Sequence, residues 1–313
     1  SKHGLSPYAS DVFHSSPILL KIFEHVHDLQ LFETQAVDLL FIASDMITAI
    51  CVYYIAYSSQ TYFLSKHNIH NESSQVSKLK RTLLASPYFS VCVALFYYFN
   101  PFVILPTCCK SVSNLMHCLI CVSISLSIHG SVTLSSMVLA MATIIDVYPF
   151  LLLPVNIAML LRSKQYKSRA LLIALSIFAF VISLAYLFAL NFKFNDLSWN
   201  FIDKYYLFIF DGRDITPNVG GWWYFKQSLF NRFQSFFTII FNLQPLVFVF
   251  PFLWRFGSYP YFCYYLTIYL FQIFRVYPCI SDTILGITFL FISSFIQYNH
   301  YRHTLGLIIV YFI

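Results

Sequence analysis

The sequence predicts an all-α, polytopic membrane bundle with short, proline-broken spans. Three observations predict it. First, 58% of the 313 residues are hydrophobic and only 10% are charged, with a mean hydropathy of +0.68. Soluble domains carry about 25% charged residues, so this chain has too little polar surface to cover itself in water. Second, the apolar residues fall in runs of helical length, whereas a transmembrane barrel shows alternating strands of about ten residues. Third, Pro101, Pro149, Pro154, Pro245 and Pro251 stand within or at the ends of those runs. Broken helices are tolerated in a membrane where neighbouring protein satisfies the freed backbone groups.

Residues 1–35 are mixed in polarity. From Pro17 to Phe32, Ile18, Ile22, Val26 and Leu29 recur at helical spacing while Lys21, Glu24 and Asp28 stand elsewhere. This predicts an amphipathic helix on the membrane surface. The first span is Ala36 to Tyr57, about 22 residues, a match for a hydrocarbon core of about 30 Å. Further apolar runs cover 87–105, 115–129, 131–145, 148–161, 170–190, 235–253, 259–274 and 283–298, and a last one begins at Thr304. The remainder, 36–313, reads as one multi-spanning domain. The chain starts at Ser1 and stops at Ile313 inside "LGLIIVYFI", as expected of a fragment that lacks both ends.

Orientation follows from two basic loops. Residues 58–86 hold Lys66, Lys78, Lys80 and Arg81, and residues 162–169 hold Arg162, Lys164, Lys167 and Arg169. Both are expected in the cytoplasm, with four spans between them. Residues 1–35 and the loop 191–234 then fall on the far, luminal side. The sequon Asn71-Glu72-Ser73 lies in a cytoplasmic loop and is expected to stay unmodified.

The stretch "DITPNVGGWWYF", Asp214 to Phe225, sets a polar turn against a dense aromatic run. Pro217-Asn218 and Gly220-Gly221 are turn signals. Trp222, Trp223 and Tyr224 fit an interfacial aromatic belt at the start of a helix. The belt does not explain Asp211, Arg213 and Asp214 beside the turn. A hydrogen-bonding rim next to an aromatic shelf suits an amphiphile with a polar head and fatty tails, and suits a docking partner equally. Asp38 and Asp45 lie seven residues apart on the first span, on one helical face. Intramembrane carboxylates normally face a partner or a watery cavity, and a structural hydrogen-bonding role is expected for Asp45. "FYYFNPFVIL" around Asn100, "IDVYPFLLLP" and "RVYPCISD" each set a polar residue beside a proline at a membrane end.

Several classes are excluded or disfavoured. There is no HExxH, GxSxG or phosphate-binding glycine loop. No Lys/Arg block alternates with aromatics as a nucleic-acid groove requires. "CLIC", Cys118 to Cys121, has metal-pair spacing but sits in an apolar run, where small core residues are the default. The far-side segment 1–35 offers Asp11, Glu24, Asp28 and Glu33 but no paired acids, which argues against dolichol-dependent sugar transfer.

"LSPYASDVFHSSPILLKIF", "DMITAI", "ALFYYFNPFVIL", "DITPNVGGWWYF" and "RVYPCISD" occur in this order. Together they resemble the PIG-U family, the class U subunit of the glycosylphosphatidylinositol (GPI) transamidase. The resemblance implies a non-catalytic, multi-pass subunit in the endoplasmic reticulum membrane, with a fold like the membrane half of polyprenyl-sugar (GT-C type) transferases. It implies other subunits as partners, namely K with the cysteine nucleophile, S, T and the GPI-anchor-attachment subunit. It also implies contact with the GPI lipid and with precursor proteins bearing C-terminal signals, in surrounding membrane lipid, and no cofactor or metal. On this reading Asp214, Pro217, Asn218, Gly220, Trp222, Trp223, Tyr224 and Phe225 form a luminal lip of a membrane groove, with Asp45 and Asn100 as intramembrane polar support. Gly221 and Lys226 depart from an all-apolar shelf. The alternatives are a GPI-pathway mannosyltransferase-like enzyme and a transporter or flippase.

Overall fold

A computed structural model of the chain describes residues 7–9, 13–28, 35–67, 86, 88–162, 168–214 and 216–297. The sequon at Asn71, Leu29 to Phe32 of the amphipathic stretch and the run from Thr304 lie outside them. The described residues form helices and connecting turns, with no strand among them. The helices are α1 (Pro17–Asp28), α2 (Gln35–His67), α3 (Phe89–Tyr98), α4 (Pro101–Cys108), α5 (Val112–His129), α6 (Val132–Ile145), α7 (Leu153–Leu160), α8 (Arg169–Phe194), α9 (Phe208–Asp211), α10 (Trp222–Ser228), α11 (Asn231–Phe256), α12 (Pro260–Phe274) and α13 (Ile280–Gln297). A 3-10 turn, Tyr148–Leu152, leads into α7.

Among the described residues, four helices are long and apolar enough to cross a membrane: Ala36–Tyr62 of α2, α5, α8 and α11. α3 and α4 pass the same test as a pair bent by 40° at their junction. The break has a local cause. Asn100 is extended, its side chain accepts a hydrogen bond from Phe102 N at 3.0 Å, and Pro101 opens the next helix. This is an ordinary N-cap with proline at the first helical position. α6, the Tyr148–Leu160 pair and α13 are shorter apolar helices.

Two prolines behave otherwise than the sequence predicts. Pro245 and Pro251 lie inside α11, which runs unbroken for 26 residues. Each proline removes one rung of the helical ladder. With no water in hydrocarbon to take over the neighbouring rungs, the rest of the ladder is retained.

Both basic loops leave the bundle at one end. There Arg162 Nη1 donates to Tyr62 Oη at 2.5 Å, and Ser58 Oγ meets Tyr261 Oη at 2.8 Å. The opposite end gathers the segments around residues 14, 110, 146, 204, 214 and 277. There Lys110 pairs with Asp38 at 3.0 Å, and His14 Nδ1 meets Lys204 O at 2.6 Å. This second end is the lip end.

The core runs through α2, α5, α6, the 3-10 turn, α12 and α13. Small polar residues let these helices approach. Ser136 and Ser176 meet at 2.9 Å between α6 and α8, and Ser123 Oγ donates to Ser135 O at 2.8 Å between α5 and α6. Asn156 Nδ2 donates to Ser123 Oγ at 2.9 Å and its Oδ1 accepts from Tyr264 at 2.8 Å. Close approach of small residues plus interhelical hydrogen bonds is how helices associate where lipid removes the hydrophobic drive. α1 packs on α8 and α2. Its first turn is fixed by one buried side chain: Asn191 Oδ1 accepts from Ser16 Oγ at 3.0 Å and from Ile18 N at 2.9 Å.

The candidate lip and the cavity behind it

The turn from Asp214 to Gly221 is built by two side chains that fold back on the backbone. Asp214 Oδ1 accepts from Thr216 N at 2.9 Å, and Asn218 Oδ1 accepts from Gly220 N at 2.8 Å. Asp and Asn make such turns because their short side chains imitate a backbone carbonyl. The turn is then tied to the segment joining α12 and α13. Tyr277 Oη accepts from Asp214 N at 2.9 Å and donates to Asp214 O at 3.3 Å, and Asn218 Nδ2 donates to Val276 O at 3.3 Å. A Cβ at Gly220 would stand 2.7 Å from Pro278 Cγ. Only glycine permits that approach.

The aromatic run does not lie on one surface. Trp222 opens α10 and is 1% exposed, its ring 4.1 Å from that of Phe241. A Cβ on Gly212, whose φ is +53°, would fall 2.3 Å from Trp222 Nε1. Trp222 is therefore a plug in the floor of the segment, placed otherwise than a lip residue. Trp223 is half-buried and donates from Nε1 to Asn218 O at 2.9 Å. Tyr224 is 66% exposed, and Pro217 and Phe225 are also exposed. The cause is the helix itself, since successive residues turn by about 100°. The segment 191–234 also contains α9 and α10, so it is a folded cap and not a plain loop.

Lys226, which departs from an apolar shelf, turns inward. Its ammonium donates to Gly212 O at 2.8 Å and to Asp211 O, satisfying carbonyls at the end of α9. Partial burial pushes its pKa down, and the Asp211 carboxylate pulls the other way. Arg213 is engaged with Asp203 at 2.8 Å and Asp211 at 3.2 Å, which holds the Asp203 carboxyl below its usual pKa.

Behind the turn lies a cavity of about 270 Å³, lined by His14, Asp146, Tyr148, Phe208, Arg275 and Tyr277 among others. Its wall is a buried ionic cluster. Arg275 Nη2 meets Asp146 Oδ2 at 2.5 Å, and Nη1 meets Asp282 Oδ2 at 2.5 Å. Asp282 also takes His117 Nε2 at 2.7 Å and Cys279 N at 2.7 Å. Tyr148 Oη donates to Phe274 O at 3.2 Å and accepts from Val276 N at 3.3 Å. One guanidinium thus stands between two carboxylates at the meeting point of α5, α6, α12 and α13.

Asp45 stands near His117, off the lip. It is buried and accepts hydrogen bonds from Thr107 Oγ1 and, at 3.3 Å, from Asn114 Nδ2. Asn100 does not join it, because its side chain caps α4. The lip residues and Asp45 therefore belong to separate places, and it is Tyr277 that links the lip to the cavity.

Sequence reasoning noted the stretches holding Asp146, Arg275 and Asp282 but not their convergence, and it left His117 aside. A usable signal was present. Charges inside a membrane come in complementary sets, and Arg275 is the cation flanking the apolar runs beside these two acids.

The profile of the family described as "GPI transamidase subunit PIG-U" matches residues 1–313. The GPI-anchor transamidase component PIGU of Homo sapiens is 33% identical over 297 residues, covering 91% of this chain and 66% of that protein. The same component from Cricetulus griseus matches at 33% over the same shares. The GPI transamidase component GAB1 of Saccharomyces cerevisiae is 31% identical over 204 residues, covering 64% of this chain and 49% of that protein. The chain thus spans just under two thirds of the length of the first two relatives. By this full-length match, with the helical architecture and ordered motifs above, the chain belongs to the PIG-U family of GPI transamidase subunits.

Proposed function

We propose that this chain acts as a non-catalytic subunit of a GPI transamidase in the endoplasmic reticulum membrane. Its lip end receives the GPI lipid while a C-terminal signal is exchanged for the anchor. The observation that carries the reading is the Tyr277 link. The exposed turn at Asp214 and the polar cavity at Arg275 share one side chain, so a headgroup held at the lip lies against a charged pocket at membrane depth. The family supports the complex as the setting. Its partners there are the K, S and T subunits, the GPI-anchor-attachment subunit and the precursor protein. Catalysis is assigned to the K subunit.

The test is Trp223→Ala and Asn218→Ala in cells that depend on this subunit. Loss of a buried anchor at a binding site typically costs over 2 kcal/mol, roughly thirtyfold in affinity. The expected outcome is normal co-purification of the subunits with slowed surface display of a GPI-anchored reporter. Normal display in both variants would sink the lipid-lip reading, and lost co-purification would make the lip a subunit contact.

A further inference from the structure

The cavity behind the lip has a chemical preference that can be read from its walls. Both terminal nitrogens of Arg275 are occupied by carboxylates, so the guanidinium is a poor receptor for an anion. Two carboxylates face the one guanidinium, and Asp146 lines the cavity beside it. The facing walls are aromatic. His14 stacks on Phe208 with centroids 3.6 Å apart, Phe208 lies 5.7 Å from Tyr277, and Tyr148 and Tyr205 also line the cavity. A carboxylate among aromatic faces favours a cation, because the ring quadrupole adds to the charge attraction.

Next to this cavity is a second one of about 210 Å³ with an almost wholly apolar lining. It lies between α1, α2, α5, α6 and α8, with Ile18, Ile22, Leu40, Leu119 and Met141 in its walls. Ile145 lines both cavities, standing at the junction. The same segments run from one to the other: Ser15 to Leu19 at the start of α1, Val112 to Leu115 in α5, and Ile144 to Asp146 at the end of α6. α1 roofs the apolar slot and is held there by Asn191. Taken together the two volumes fall in the range of about 300–1,000 Å³ common to small-molecule sites.

We infer that the paired cavities seat an amine-bearing amphiphile, with its ammonium against Asp146 among the aromatic faces and the start of one acyl chain in the slot beneath α1. This deepens, and rests on, the lipid reading of the lip. Two sources supply that chemistry: the amino groups of the GPI glycolipid and the headgroup of an ordinary ethanolamine phospholipid.

The experiment uses the intact purified complex in nanodiscs. A fluorescent short-chain phosphatidylethanolamine is displaced by unlabelled phosphatidylethanolamine, by its N-acetylated form, which lacks the charge, or by phosphatidylglycerol. The wild-type complex is expected to bind the free amine at least tenfold more tightly than the acetylated lipid. Asp146→Asn is expected to remove that preference. Leu119→Trp, which fills the slot, is expected to weaken both lipids while keeping their ratio. Equal binding of the free and acetylated amines by the wild type overturns the inference without recourse to any variant, so an unstable Asp146→Asn does not rescue it. Mass spectrometry of co-purified lipid separates the sources. Retained GPI glycolipid supports both the inference and the proposed function. A phosphatidylethanolamine retained in cells that make no GPI supports the amine site and counts against substrate recognition there. Slowed display in Trp223→Ala without amine selectivity does the reverse.

Discussion

α11 and α12 are neighbours in the chain, and both are apolar and rich in aromatics. Their places differ. Eleven of the fifteen residues of α12 are buried, whereas three of the twenty-six in α11 are. Composition does not separate them, because lipid tails are as apolar as a protein interior. The polar atoms do. α12 directs Tyr264 Oη to Asn156 and Tyr261 Oη to Ser58, and ends at the twice-paired Arg275. In α11, Thr238 bonds back to its own helix at Gln234 O, and Asn242 reaches only the neighbouring cap at Phe210 O. In a membrane protein the inner helix is marked by where its few hydrogen-bonding groups find partners on other helices.

That contrast makes three graded predictions. The largest effect is expected at the end of α12. Arg275→Met leaves Asp146 and Asp282 without their common cation, and breaking a buried ion pair by removing one partner costs about 3–5 kcal/mol. The folded fraction in size-exclusion chromatography of a fluorescent fusion should fall sharply. It should recover when Asp146→Asn and Asp282→Asn are added. Failure to recover would mean that Arg275 packs for reasons other than charge.

A smaller effect is expected inside α12. Tyr264→Phe removes the donor to the buried Asn156 Oδ1 and leaves that acceptor unsatisfied, at a cost of about 1–3 kcal/mol, visible as a lower midpoint in thermal unfolding. The smallest is expected on α11. Trp254 is 94% exposed, so Trp254→Ala should stay within about 0.5 kcal/mol of wild type in stability. If α11 is instead a seat for another subunit, stability is unchanged while co-purification falls. A large stability loss would erase the distinction between the two helices.

The comparison also explains what was legible in the sequence. The runs 131–145 and 259–274 agree closely with α6 and α12 because polar residues, glycine or proline bound them at both ends. The turn at Asp214 was readable because its signals are local. The ionic cluster was not, since His117, Asp146 and the stretch from Arg275 to Asp282 come from three separate places in the chain, and no spacing rule links them. The inward position of Trp222 was not legible for a different reason. Four aromatics in a row carry no information on which one faces inward until a neighbouring element, here Gly212 and Phe241, is placed.

The shortness of α6 has one more consequence. Its 14 residues rise by about 21 Å, against a hydrocarbon thickness of about 30 Å. Asp146 closes that helix, so its carboxylate lies recessed below the level that a full-length helix would reach. A bilayer meets such hydrophobic mismatch by thinning locally, at fractions of a kcal/mol per Å. For the lipid proposed above, entry would then be a sideways step at the depth of Asp146, with no passage of charge through hydrocarbon.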